Sequence, residues 1–111
     1  MSLEVKYPHG RPTQSTTEQI AYPIDVSEWD TTPASPAVDY VWDDSADPPA
    51  DVKSTVMPAG SATATNAVIT CPILKLLTLG KRYRVEVSWT GDNSSRLECH
   101  FRVSCDNVSN A

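Results

Sequence analysis

No apolar run in this 111-residue chain approaches the ~20 residues that a membrane-spanning helix needs. Nor does any segment sustain a 3.6-residue apolar period, so long amphipathic helices are not expected. The opening MSLEVKYPHG lacks an apolar h-region, and no secretory signal is expected. Residues 21–52 contain no lysine or arginine, although Asp25, Glu28, Asp30, Asp39, Asp43, Asp44, Asp47 and Asp51 all fall there. Cys71, Cys99 and Cys105 form no C-x-x-C pair and have no histidine at metal-ligand spacing. A P-loop, a dinucleotide-binding glycine fingerprint and a G-x-S-x-G nucleophile elbow are all missing. The expectation is a non-enzymatic protein without a cofactor and without a membrane partner.

What the chain does have is strict alternation near its end. In Lys81–Trp89 the apolar residues are Tyr83, Val85, Val87 and Trp89; in Arg96–Cys105 they are Leu97, Cys99, Phe101, Val103 and Cys105. A period of two over nine or ten residues marks a strand with one buried face. The link Thr90–Ser95 consists of turn residues, so the two runs read as a long β-hairpin. Upstream lie shorter candidates: Thr16–Asp25, weakened by Pro23, then Ala37–Trp42 with Val38, Tyr40 and Trp42 on one face. Asp51–Met57, Ser61–Asn66 and Ala67–Cys71 complete the set, and Pro72–Leu77 is the one plausible helical turn. About seven short strands with turn signals between them predict an all-β fold, an immunoglobulin-like two-sheet β-sandwich, with a small barrel as the competing architecture. Residues 1–15 read as a flexible N-terminal arm, 16–106 as the sandwich and 107–111 as a C-terminal tail. A chain of this length buries roughly two thirds of its unfolded surface, enough for one core. Trp29, Trp42, Trp89, Tyr40, Tyr83 and Phe101 are the expected bulk of that core.

Charge is distributed unevenly within the net −5. The acidic segment 21–52 is followed by a mildly basic one carrying Lys53, Lys75, Lys81, Arg82, Arg84, Arg96 and Arg102. Two consequences are open: the halves neutralise each other within one domain, or copies associate head to tail. A net acidic chain argues against nucleic acid. Cys99 and Cys105 would lie about 20 Å apart on one strand, too far for a disulfide; a bridge from Cys71 to one of them stays open, beside the simpler reading of buried thiols that their inward positions suit. An odd cysteine count favours a reducing compartment, consistent with assembly inside a cell.

Candidate sites follow from these patterns. Asp43, Asp44, Asp47 and Asp51 would offer carboxylate oxygens to a hard cation such as Ca²⁺, but they lack the glycine and the closing glutamate of an EF-hand, and a solvated acidic loop is the simpler reading. Arg82, Arg84 and Arg102 occupy outward positions and would form a basic stripe on one sheet face. His100 is also outward and would face Glu86 or Arg84 according to register; His9 is the only other imidazole. Trp29 and Trp42, if exposed, would make a sugar-stacking platform; if buried, they are core.

The stretch from Tyr22 to Cys105 resembles immunoglobulin-like modules of tailed bacteriophages and prophages, small proteins of the head–tail and tail gene regions. The similarity rests on Tyr22-Pro-Ile-Asp-Val-Ser-Glu-Trp29, the Pro58-Ala-Gly60 turn and the strand ending at Cys71. It also includes the closing pair Leu79-Gly-Lys-Arg-Tyr-Arg-Val-Glu-Val87 and Leu97-Glu-Cys-His-Phe-Arg-Val103. The resemblance carries no catalytic residues and implies a virion or accessory structural role. The expected partner is accordingly a protein, including other copies of the same chain, met through Arg82, Arg84, Arg102, Asp43, Asp44 and Asp47. A surface-displayed carbohydrate- or receptor-binding domain is the alternative, and an enzyme accessory domain a third.

Overall fold

The computed structural model describes residues 3–4, 12–91 and 94–106, with the first two known as backbone only. Among the described residues there are nine strands and one short helix. The strands are β1 Leu3–Glu4, β2 Thr13–Gln14, β3 Pro23–Asp25, β4 Ala34–Asp43, β5 Ala50–Asp51, β6 Thr63–Thr65, β7 Val68–Thr70, β8 Arg82–Thr90 and β9 Arg96–Cys105. The helix, α1, is Lys53–Val56. The chain is an all-β sandwich. One sheet has the order β1-β9-β8-β4-β5, with β2 also on the free side of β9; the other has the order β3-β7-β6.

The β8–β9 hairpin forms where alternation predicts it. Its register pairs Val85 with Phe101, Val87 with Cys99 and Tyr83 with Val103. All six are buried. From the smaller sheet Ile24 and Ile69 meet them, and Tyr22 packs on Phe101 with ring centroids 5.4 Å apart. At ~25 cal/mol per Å² of apolar surface, this shared interior is the main favourable term of folding. Cys71, Cys99 and Cys105 are all buried free thiols. Burial pushes the Cys71 and Cys99 thiols up to about 12.

Four expectations change. First, β4 does not keep one parity. Its pairing with β8 is irregular between Val38 and Tyr40. A bulge inserts one residue and turns every following side chain to the opposite face. Val41 and Asp43 therefore join Val38 inside, while Tyr40 stands 44% exposed and Trp42 is half-buried. Tyr40 and Trp42 thus leave the core that alternation alone assigned them to.

Second, part of the expected arm 1–15 belongs to the sheet. β1 and β2 run parallel to β9, Leu3 opposite Cys99 and Thr13 opposite Ser104. Gln14 is fully buried. Its Nε2 donates to the carbonyls of Leu74 (2.7 Å) and Glu18 (2.9 Å), and its Oε1 accepts from the Tyr22 hydroxyl (2.9 Å). A buried amide with three partners is a satisfied joint rather than a loose end. Residues 5–11 and the tail 107–111 lie outside the described residues.

Third, Asp51–Met57 contributes only the end of β5 before turning into α1, which buries Val56. Fourth, Pro72–Leu77 is irregular chain. It turns Leu74 and Leu77 inward and leaves Ile73 and Leu76 exposed. Among the described residues no helix is long and apolar enough to cross a membrane.

Candidate interaction surface

Period two places alternate residues of β8 and β9 on the outer face of the larger sheet. The register then fixes the neighbours. Across β4, β8 and β9 one row is Trp42–Arg84–Arg102, and the next is Tyr40–Glu86–His100. His100 therefore faces Glu86, one of its two expected partners, and Arg84 faces Arg102. β5 sets Asp51 beside Trp42 at the edge of the first row. Tyr40 and Trp42, two residues apart on one strand, stack with centroids 5.0 Å apart and 24° between planes.

The acidic loop reaches these arginines because it is zipped to the start of β8. The Asp44 amide donates to the Arg82 carbonyl, and the Arg82 amide donates to Ser45 Oγ, both at 2.9 Å. Asp44, Arg82, Arg84, Arg102 and Ser104 consequently line one cleft of about 280 Å³. Asp44 Oδ1 lies 3.7 Å from the Arg84 guanidinium, and Glu86 Oε2 lies 3.4 Å from Arg84 Nε. Asp43 is buried at the end of β4. Its Oδ2 accepts from Lys81 Nζ at 2.9 Å, and Oδ1 accepts from the Ser45 amide. The Asp43 carboxylate holds the Lys81 ammonium above its ordinary lysine range. Half of the predicted acidic set is thus turned onto the basic half of the same molecule.

The other sequence candidates separate from this cluster. Asp47 and Asp51 are exposed, and Asp51 Oδ1 accepts from the Lys53 amide. No group of three His, Cys, Asp or Glu side chains able to hold a metal ion occurs among the described residues. Of the carboxylates offered for Ca²⁺, Asp43 points at Lys81 and the Ser45 amide, Asp44 at Arg84 and Asp51 at the Lys53 amide. Trp29 is 36% exposed and covers the buried Trp89 with centroids 6.1 Å apart, well away in sequence from the Tyr40–Trp42 pair. His9 lies outside the described residues.

Tyr40 is the surface residue that sequence reasoning missed. The available signal was Val41, an aliphatic residue out of phase in an otherwise regular Val-x-Tyr-x-Trp alternation, which a bulge would bring inside. Two donors on opposed residues also stand out. Trp42 Nε1 and Arg84 Nε are shielded from solvent and have no hydrogen-bond acceptor among the described residues. Shielded donors without acceptors are uncommon in folded proteins.

No family model, no curated protein and no solved structure matches the chain.

Proposed function

We propose that this chain is a non-enzymatic structural or interaction module that meets a protein partner, other copies of itself included, through the outer face of its larger sheet. The observation that carries this reading is the outward Tyr40–Trp42 stack set in register beside Arg84 and Arg102. Tyrosine, tryptophan and arginine are the residue types most enriched at protein contacts and in their energetic hot spots. An immunoglobulin-like connection is part of the proposal. The orders β3-β7-β6 and β4-β8-β9 correspond to B-E-D and C-F-G of that architecture. Assembly or accessory work in a phage or prophage virion is the context that the sequence resemblance suggests, by analogy alone. Because Asp43 and Asp44 already face Lys81 and Arg84, the association does not draw on those two carboxylates.

A second reading, polysaccharide binding, is favoured by the same outward aromatics, since sugar rings stack on exposed indole and phenol faces. Light scattering over a wide concentration range separates the two when run beside a tryptophan-fluorescence titration with glycans. A mass that grows with concentration in the wild type but not in Tyr40→Ala supports the protein reading. A monomer throughout whose fluorescence responds to glycans overturns it in favour of the sugar.

A further inference from the structure

Two clefts adjoin beside the connections that flank β6 and β7. One, of about 320 Å³, is lined by Ile73 and Lys75; the other, of about 260 Å³, by Val38, Met57 and Lys53. Pro58, Gly60 and Pro72 line both, so the two make one groove with a lysine in each lobe. No aspartate or glutamate lines either lobe, on a chain whose net charge is −5. Lys53 and Lys75 are half-buried, and neither makes an ion pair among the described residues. Ile73 stands 46% exposed at the groove, while its neighbour Leu74 is fully buried. Such a groove is complementary to a segment that is apolar in its middle and acidic at both ends.

The chain carries such a segment. Asp47-Pro-Pro-Ala-Asp51 is exposed throughout, two carboxylates flanking three apolar residues. It is held at both ends: the Ala46 amide donates to the Asp43 carbonyl at 3.2 Å, and Ala50 and Asp51 pair with Asp43 and Trp42. Two prolines fix φ within it, so little freedom is left to lose on docking. Residues 47–51 line neither lobe of their own molecule's groove.

Resting on the protein-partner reading above, we propose that the groove seats the 47–51 loop of a second copy of this chain. Pro48, Pro49 and Ala50 lie against Pro72 and Ile73, and the two carboxylates meet Lys53 and Lys75. Asp51 sits beside Trp42, so the docking loop is continuous with the Tyr40–Trp42 face. One loop in one groove is a small contact, and the association is accordingly weak and concentration-dependent.

The test is sedimentation velocity on the full chain up to millimolar concentration, at low and high salt, beside a tryptophan-fluorescence titration with glycans. The wild type is expected to self-associate, and less so as salt is added. Lys53→Glu/Lys75→Glu and Asp47→Lys/Asp51→Lys should each weaken association about tenfold or more, with far-ultraviolet dichroism unchanged. Mixing the two variants should restore it, because each offers the charge that the other's contact now requires. A wild type that stays monomeric overturns the proposal. So do charge reversals that leave association unchanged, and so does a mixture of the two folded variants that stays apart. If association survives both reversals but is lost in Tyr40→Ala, the loop-in-groove contact falls and the protein-partner reading stands. A monomer throughout whose fluorescence responds to glycans removes both.

Discussion

On the inner face of β8 and β9, Val85, Val87, Phe101 and Val103 are fully buried; one residue along, Arg84, Glu86, His100 and Arg102 stand half-buried on the other face. The same two strands therefore serve two purposes. Inward positions are chosen for volume and for the absence of polar atoms, because an interior at crystal-like density leaves no room for error. Outward positions tolerate a direct arginine–arginine pairing that a purely structural face would avoid. The difference teaches where to look for function in a small sandwich: at outward residues whose arrangement costs stability without helping the core.

The sharpest way to break this comparison is to shorten an inward residue. Phe101→Ala should destabilise by about 3–5 kcal/mol, the usual range for a large aromatic removed from a packed core. Urea unfolding followed by Trp89 fluorescence would measure it, and a loss below about 1 kcal/mol would show that the inner face is not tightly packed.

High pH probes the same interior. Tyr22 is raised to about 12, chiefly by burial and secondarily by Glu18, and burial raises Cys71 and Cys99 to about 12 as well. In the unfolded chain these groups lose their protons near their ordinary values of 10.0 and 9.0. Between those values and about 12 the folded state holds more protons, so stability falls as pH rises. The contribution is complete below about pH 9 and is lost as pH climbs through about 12. An alkaline titration followed by dichroism and by thiol reactivity should show both signals moving together in that window. Thiols that react freely at pH 8 would contradict the burial.

Gln14 tests the seam where the N-terminal strand meets the core. Gln14→Ala leaves the Tyr22 hydroxyl without its acceptor and takes from the Leu74 carbonyl one of its two donors, the Ile20 amide remaining, at a cost of about 1–3 kcal/mol. Differential scanning calorimetry should register a lower Tm; an unchanged Tm would mean that residues 12–15 do not hold the sandwich together.

Outer-face changes should be smaller. Tyr40→Ala removes one ring of an exposed stack and should cost about 0.5–1.5 kcal/mol, with association lost out of proportion to stability. Arg84→Gln is expected to change stability by no more than about 0.5 kcal/mol, and in the favourable direction, since it relieves the repulsion from Arg102. A clear destabilisation would recast Arg84 as a structural residue held by Asp44 and Glu86.

The hairpin was legible because its evidence is local. Each residue of Tyr83–Trp89 and Leu97–Cys105 declares its face through its neighbours two positions away. The cluster of Asp44 with Arg82, Arg84 and Arg102 was half legible: every member was named, but what joins them is the loop's hydrogen bonds to β8, contacts across about 40 residues of sequence. The face of Tyr40 and Trp42 was misread because Val38, Tyr40 and Trp42 alternate as cleanly as Val41 and Asp43 do. Nothing local decides where a bulge will fall. Gln14 gave no periodic signal, since a two-residue strand is too short to repeat a period of two.

Residue order alone was enough for the all-β class, for the long hairpin with its inward Val85, Val87, Phe101 and Val103, and for the outward place of Arg84 and Arg102, because strand periodicity is a property of neighbours. The folded chain was needed to turn Tyr40 and Trp42 outward and bury Asp43 against Lys81. It was also needed to draw Gln14 into the core and to set two arginines opposite each other. Those outcomes depend on register, on a bulge and on pairings between distant segments, and such interactions are chosen by the packing of the whole domain.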